Sequence, residues 1–446
     1  MSARDQTRLY GIELGFAIVG SLVSGTFGNR YGRKIGLAIT AVLCMLGASL
    51  QMIDHVAGLL VGRGLMGMGI GCAAVLAIAY VTEVTPVEIR GQLVTFYQIF
   101  TNIAGLIGTL VNQGTYDLPT AMAYRIPLMV GTLVPFLLLL LIWIVPEAPS
   151  ELSHSSRPEG HYKLMISGWL ITRGRISEAR INLKKIRGET YSTDELDREL
   201  NDTIAFTAIE KELESSAASF YKCFTGTDLQ RTIIPLVLFG GEQLTGTGFI
   251  GGYLTYFFLL TGFTNAFLIA VISACCGIAG SLLALLLTKW FGRRTILITG
   301  ASVMSFCMLA FSTISTVAPH SVGAARCVIA FVCIFTFTYS ASWGPVVPVI
   351  SGEIPSNRLR SKALGIALGT NWIMSVLVIC GCPYLISPDY ANLGTKIGFV
   401  FGALTIPLVI FTVIFVPETK GRTLEEIDEM FLKVLVPQNY EPVVES

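Results

Sequence analysis

Eleven runs of about twenty mostly apolar residues divide this chain, at 10–28, 35–53, 59–81, 92–112, 124–145, 232–260, 265–287, 295–316, 324–350, 361–385 and 395–416. A helix needs about 20 such residues to cross a bilayer. Hydrocarbon offers backbone groups no partner, so a spanning segment must bond internally, as a helix or a closed barrel. The period-two alternation of a barrel is absent, which leaves helices. Composition agrees: 14% of residues are charged and 52% hydrophobic, where a soluble domain carries about 25% charged. The expected fold class is an all-α polytopic membrane protein with 11 spans.

Several function classes fall away at this point. A net charge of +1 offers no basic field for nucleic acid. The ten cysteines lie mostly inside the apolar runs, and the four histidines fall in connecting segments without clustering. Small buried thiols explain this better than disulfides or a metal site. With no nucleophile, metal-ligand or phosphate-loop constellation, neither an enzyme nor a cofactor is expected.

Charge sets the orientation. Arg30, Arg33 and Lys34 follow the first run, Arg90 the third, Lys289, Arg293 and Arg294 the seventh, and Arg358, Arg360 and Lys362 the ninth. The alternate loops 54–58, 113–123, 261–264, 317–323 and 386–394 contain no Lys or Arg. By the positive-inside rule the basic turns, the long segment 146–231 and the C-terminus face the cytoplasm. An odd number of spans then puts the first residues outside, although Arg4 and Arg8 precede the first run.

The basic turn recurs. "GNRYGRK" aligns on "TKWFGRR" with Gly32 on Gly292 and Arg33 on Arg293. Two spans later, "TEVTPVEIRG" answers "SGEIPSNRLRSK", placing Glu83 on Glu353 and Arg90 on Arg360. After two more spans, "VPEAPS" answers "VPETKG". Three landmarks in the same order mark an internal duplication. The second half has two spans ahead of its basic turn's partner position where the first half has one, so the first helix of the first half is expected to be missing. Paired repeats are typical of secondary transporters, which hold their substrate between the halves near the midplane. Nothing resembles the carbonyl filter or charged rings of a channel. Glu83 with Arg33 or Arg90, and Glu353 with Arg293 or Arg360, are candidates for a cytoplasmic gate.

These motifs, with "RGLMGMGIG", "SWGP", "NW" and "VPETKGRTLEEIDEMF", resemble the sugar porter family of the major facilitator superfamily over essentially the whole chain. "YRIP" and "GYLTYFF" are similar to the fungal α-glucoside (maltose permease-like) and hexose branch. The resemblance implies two six-helix bundles, here with the first helix missing. The expected divisions are an N-terminal bundle (1–145), a cytoplasmic central segment (146–231) with an insertion at 151–168, a C-terminal bundle (232–416) and a cytoplasmic tail (417–446). It also implies sugar uptake by alternating access, with proton symport, in a multi-pass plasma-membrane protein that works as a monomer in the lipid bilayer. The alternative is a non-transporting sugar sensor or a defective, truncated paralogue.

Sugar hydroxyls favour amides, and sugar ring faces favour aromatics. Polar groups at membrane depth are costly unless partnered, so each is a functional candidate. The candidates are Gln98, Glu242, Gln243, Tyr253, Trp343, Asn371 and Trp372, with Asn102 read as glue between helices. The family pattern matches Gln98 to the fifth-helix glutamine, Glu242 and Gln243 to a seventh-helix glutamine pair, and Asn371 to an eleventh-helix amide. Glu242 puts a carboxylate where the family has an amide, making it a candidate for carrying a proton, for accepting sugar hydroxyls or for a structural ion pair. Gly248, Gly252 and Pro348 replace larger residues of the family and would widen the cavity. Arg63 matches a fourth-helix arginine that pairs in proton-coupled relatives with an aspartate of the first helix. With that helix missing, Arg63 is expected to lack such a partner.

Overall fold

Runs of this kind must satisfy their own polar side chains, and the computed structural model shows how. It describes residues 3–31, 33–53, 55–84, 87–116, 118, 121–142, 220–260, 266–318, 321–356, 359–386, 391–422, 426–427 and 430–431. The central segment up to residue 219, including the expected insertion at 151–168, and most of the tail lie outside the described residues. Hydroxyls inside the helices bond back to their own carbonyls: Thr288 to Ala284, Thr405 to Phe401 and Thr412 to Leu408, each at 2.8 Å. Such bonds let Ser and Thr enter hydrocarbon without stranded donors.

The first half contains α1 (Ala3–Tyr31), α2 (Arg33–Gln51), α3 (Val56–Val84), α4 (Val87–Thr115) and α5 (Met122–Leu141). After a 3-10 turn at Phe220–Phe224 come α6 (Gly226–Leu244), α7 (Thr247–Leu260), α8 (Ala266–Trp290), α9 (Arg293–Val317) and α10 (Val322–Ala341). They are followed by α11 (Trp343–Glu353), α12 (Arg360–Ile386), a turn at Gly394–Lys396 and α13 (Ile397–Phe415). Nine stretches among the described residues are long and apolar enough to cross a membrane, α10 and α11 forming one of them; the bent pair α6–α7 makes a tenth. The sequence led us to expect eleven. The difference is α1, whose 29 residues include Arg4, Asp5, Arg8, Glu13 and Arg30.

The bend between α6 and α7 is 46°. Gly246 sits in it at φ +98°, a conformation that a side chain disfavours. The bend also brings Phe249 onto Phe401 of α13 in a stacked contact, ring centroids 6.1 Å apart.

Packing repeats as the sequence does. In the first half α1 and α2 both pack on α3, and α2 on α5; in the second, α8 and α9 both pack on α10, and α9 on α13. Between the halves, α1 lies along α12 and α4 lies along α8. Those two contacts exchange places under the same helix correspondence, as a two-fold relation requires. Glycines set the spacing. A Cβ on Gly67 or Gly71 of α3 would come within 1.9 Å and 2.1 Å of the Glu13 and Ala17 carbonyl oxygens of α1. Helices without a hydrophobic drive between them associate through such close backbone approach. The larger side-chain core belongs to the second half, where Trp343, Phe249, Phe311, Phe335 and Met304 are fully buried.

Candidate functional site

The expected amides fall into two groups. Asn371 of α12 joins α6: its Nδ2 donates to the Phe239 carbonyl (2.7 Å) and to Glu242 Oε2 (3.4 Å), while its Oδ1 accepts from Gln243 Nε2 (3.3 Å). The second Glu242 oxygen accepts from the Tyr339 hydroxyl of α10. Thus a carboxylate, two amides and a phenol from three helices form one network. Both donors to Glu242 in it are neutral. Glu242 and Gln243 are half-buried, and Gly248 lets Gln243 approach, since a Cβ there would lie 3.0 Å from its Oε1.

The other group lies on α4. Gln98 donates to Asn102 Oδ1 (3.3 Å), and Asn102 donates across to the Gly277 carbonyl of α8 (3.0 Å). Asn102 therefore bridges α4 and α8. Gln98 is buried against Gly344, where a Cβ would meet its carboxamide at 2.7 Å. One turn of α4 also carries Tyr97, 41% exposed.

The aromatic candidates separate. Tyr253 donates to the Ile379 carbonyl (2.8 Å) and meets Tyr10 of α1 edge-on, ring centroids 6.4 Å apart. Trp372 is half-buried, and its indole N–H is shielded with no acceptor among the described residues. Trp343 is apart from both groups. It is wholly buried in the second half, with its N–H donating to the Leu297 carbonyl of α9 (2.9 Å).

Arg63 corrects an expectation. It is not without a carboxylate: Glu13 of α1 pairs with it, Nη1 to Oε2 at 2.5 Å, both side chains partly exposed. The partner comes from α1, brought alongside α3 by the glycine contacts at Gly67 and Gly71. Neither side chain is fully buried, so losing one partner strands a charge less completely than in a buried pair. Replacing either residue with glutamine is expected to lower the thermal midpoint. In a double-mutant cycle the coupling should be about 1–2 kcal/mol; additive losses would show that the two charges do not interact.

At the opposite end of the helices, Arg33 opens α2 and donates to Ser361 Oγ at the start of α12 (3.2 Å). In the second half Arg293 opens α9 and lies against Gly91 of α4, 3.0 Å from the place of a Cβ. In the repeat, Gly91 answers Ser361, so the two arginines make reciprocal contacts between the halves. Arg293 also pairs with Glu353 at 3.9 Å. Arg360 is buried beside them; the side chains of Glu83 and Arg90 lie outside the described residues. Glu418, which sequence reasoning passed over, accepts from the Arg293 and Arg294 backbone N–H groups (2.8 and 3.2 Å). It neutralises the positive start of α9.

Sequence reasoning missed Glu13, Tyr97 and Tyr339 as well. A glutamate within an apolar run is a visible signal; a tyrosine there is not.

Comparison with known proteins places this geometry. The family model described as "Sugar (and other) transporter" matches residues 4–165 and 167–431. The chain is 31% identical over 440 residues to the major facilitator-type transporter ecdD of Aspergillus rugulosus, covering 94% of this chain and 78% of that one. It is 33% identical over 434 residues to a probable glucose transporter, rco-3, of Neurospora crassa, covering 93% and 68%. Among solved structures it is similar to the proton:xylose symporter XylE bound to 6-bromo-6-deoxy-D-glucose, with a TM-score of 0.73 at 24% identity, covering 94% and 88%. The inward-open form of XylE from E. coli gives 0.66 at 24% identity, covering 96% and 91%. Those likenesses show the fold. Spanning helices packed in a repeated pattern, a polar network among them and a family match along nearly the whole length lead to one conclusion: the chain belongs to the sugar (and other) transporter family, carriers of the major facilitator fold and not enzymes.

Proposed function

We propose that this chain carries a small sugar across the membrane by alternating access, with a proton moving in the same direction. The observation that carries this reading is the Glu242–Gln243–Asn371–Tyr339 network, which gathers sugar-binding chemistry at membrane depth between α6, α10 and α12. The unanswered Trp372 N–H adds a donor for a hydroxyl and an apolar face for a ring. Gln98 and Tyr253 contribute from α4 and α7. Trp343 acts from behind, by holding α11 against α9.

A hexose is the first candidate, supported by relatives named as glucose and hexose transporters. An α-glucoside is the second, since Gly252 has nothing within 4 Å of the place of a Cβ; Gly248, whose space Gln243 and Val378 fill, and the buried Pro348 do not widen the cavity as the sequence led us to expect. For the proton, Glu242 is the candidate in the second half; Arg63, with Glu13, is the ionic position in the first. Arg33, Arg293, Glu353 and Arg360, with Glu83 and Arg90, form the cytoplasmic gate. In this reading α1 is a span, making eleven, with bundles at 1–145 and 232–416 joined by the cytoplasmic segment 146–231. The tail at 417–446 is also cytoplasmic, and the protein works as a monomer in the plasma membrane.

Uptake of labelled glucose and maltose in a transporter-null yeast host, with and without an uncoupler, tests the reading. One sugar should accumulate above its external concentration, and the uncoupler should abolish that excess. Saturable uptake that ignores the uncoupler would remove the proton from the mechanism. Absence of saturable uptake for both sugars, with the protein present at the cell surface, would overturn the substrate assignment.

A further inference from the structure

A second binding feature lies away from the polar network. Between α8, α9 and α10 a groove of about 340 Å³ is walled by Leu283, Leu287 and Phe291, by Thr299 and Val303, and by Phe337. Two of its four hydroxyls bond back to α9 and α10: Thr299 donates to the Thr295 carbonyl (2.9 Å) and Ser342 to the Thr338 carbonyl (2.6 Å). The surface left to meet a ligand is nearly all hydrocarbon. Gly300 forms part of the lining, and a Cβ on it would lie 3.5 Å from Cδ1 of Trp343, so the buried indole stands directly behind the groove. Along α9 the groove runs from Thr295 to Val303, eight residues or about 12 Å. That is an open, elongated apolar surface, long enough for part of an extended chain.

The mouth has a different chemistry. Next to Phe291, Trp290 ends α8 with its ring 64% exposed. The exposed Lys420 ammonium donates to the Trp290 carbonyl at 2.9 Å. An ammonium has three donors, and this bond uses one. The nearest carboxylate in sequence, Glu418, is engaged with the backbone N–H groups of Arg293, Arg294 and Lys420. Exposed tryptophan and lysine at a helix end are suited to the headgroup level of a bilayer. Basic residues at that level attract anionic lipid.

We propose that this groove binds one acyl chain of an anionic phospholipid from the leaflet at the α8–α9 turn, with the headgroup held by Lys420. The lipid would bridge three helices of the second half, independently of what the carrier transports.

Native mass spectrometry of the full chain, extracted from dioleoylphosphatidylcholine vesicles containing about one fifth dioleoylphosphatidylserine, tests this. One phosphatidylserine should remain bound in preference to phosphatidylcholine. Lys420→Gln should cut that preference by about fivefold, the worth of one lysine against an anionic surface. Thr299→Phe should fill the groove and release the lipid, whereas Ile410→Phe, on an exposed face of α13, should not. Phosphatidylserine with brominated acyl chains should quench Trp343 in a background where Trp143, Trp169, Trp290 and Trp372 are replaced by Phe, although that indole is fully buried. Equal retention of the two lipids, or a Lys420→Gln preference unchanged from the parent, would mean bulk annular lipid only and overturn the proposal. If Thr299→Phe fails to fold, Lys420→Gln and the bromine quenching decide.

Discussion

Gly67→Leu is expected to abolish recovery of folded protein, the largest effect of any single substitution considered. The missing Cβ would sit 1.9 Å from the Glu13 carbonyl oxygen and 2.8 Å from its carbon. Both are backbone atoms of α1, and backbone cannot step aside as a side-chain end can. The neighbouring contacts are equally close: Gly71 faces Ala17 at 2.1 Å, and Gly20 of α1 faces the Met68 carbonyl at 2.3 Å. To admit a leucine, α1 must leave α3 along its length, which also separates Glu13 from Arg63. Overpacking of this kind costs about 3 kcal/mol or more, a large share of the stability of most proteins. Size-exclusion of detergent-solubilised protein should show loss of the monodisperse peak. Gly105→Ala, on α4 with nothing within 4 Å of the new methyl, is the matched control and should be neutral or slightly stabilising. A Gly67→Leu protein with the parental melting temperature would contradict the close packing of α1 on α3.

Glu242→Gln is the second. The shape is kept, and the one amide oxygen can still accept from either Tyr339 or Asn371 while the NH2 group faces the other donor; the negative charge and the exchangeable proton are removed. Uptake should lose its dependence on external pH, and accumulation should fall to equilibration. Tyr339→Phe separates charge from hydrogen bonding: it keeps the carboxylate and strands one of its oxygens. Removing a bond to a charged group is worth about 1.5–3 kcal/mol, or roughly tenfold to a hundredfold in binding or rate. Tyr339→Phe should therefore slow transport while leaving its pH dependence in place. If Glu242→Gln retains the parental pH profile, Glu242 is a sugar acceptor or a structural group and carries no proton.

The arginine contacts between the halves illustrate where the sequence was informative. Alignment of the two basic turns paired Arg33 with Arg293, and alignment of the later landmarks paired Gly91 with Ser361. The structure joins Arg33 to Ser361 and Arg293 to Gly91. The duplication was legible because both members of each pair sit in short, distinctive motifs. That each arginine reaches the opposite half was not legible, because motif order says nothing about which helices lie side by side.

The residues of the polar network show the same division. Gln243 and Asn371 stood out because an amide inside an apolar run has few uses. Tyr339 did not, since tyrosine is common in such runs, and it meets Glu242 from 97 positions away. Trp343 looked like a ring-stacking residue by composition, yet its indole N–H has its acceptor on α9.

By itself, then, the sequence determined that this chain is helical and spans a membrane, that its halves are related, and that amides and carboxylates interrupt its apolar runs. These are properties of length, composition and order, which local physics converts directly into helices in hydrocarbon. Only the tertiary structure decided the partners: Glu13 for Arg63, Tyr339 for Glu242, and the α1–α12 and α4–α8 contacts between the halves. A helix's period states which residues share a face but not which helix covers it. That choice is made by backbone approach at glycines such as Gly67, Gly71 and Gly280, and it depends on both surfaces at once.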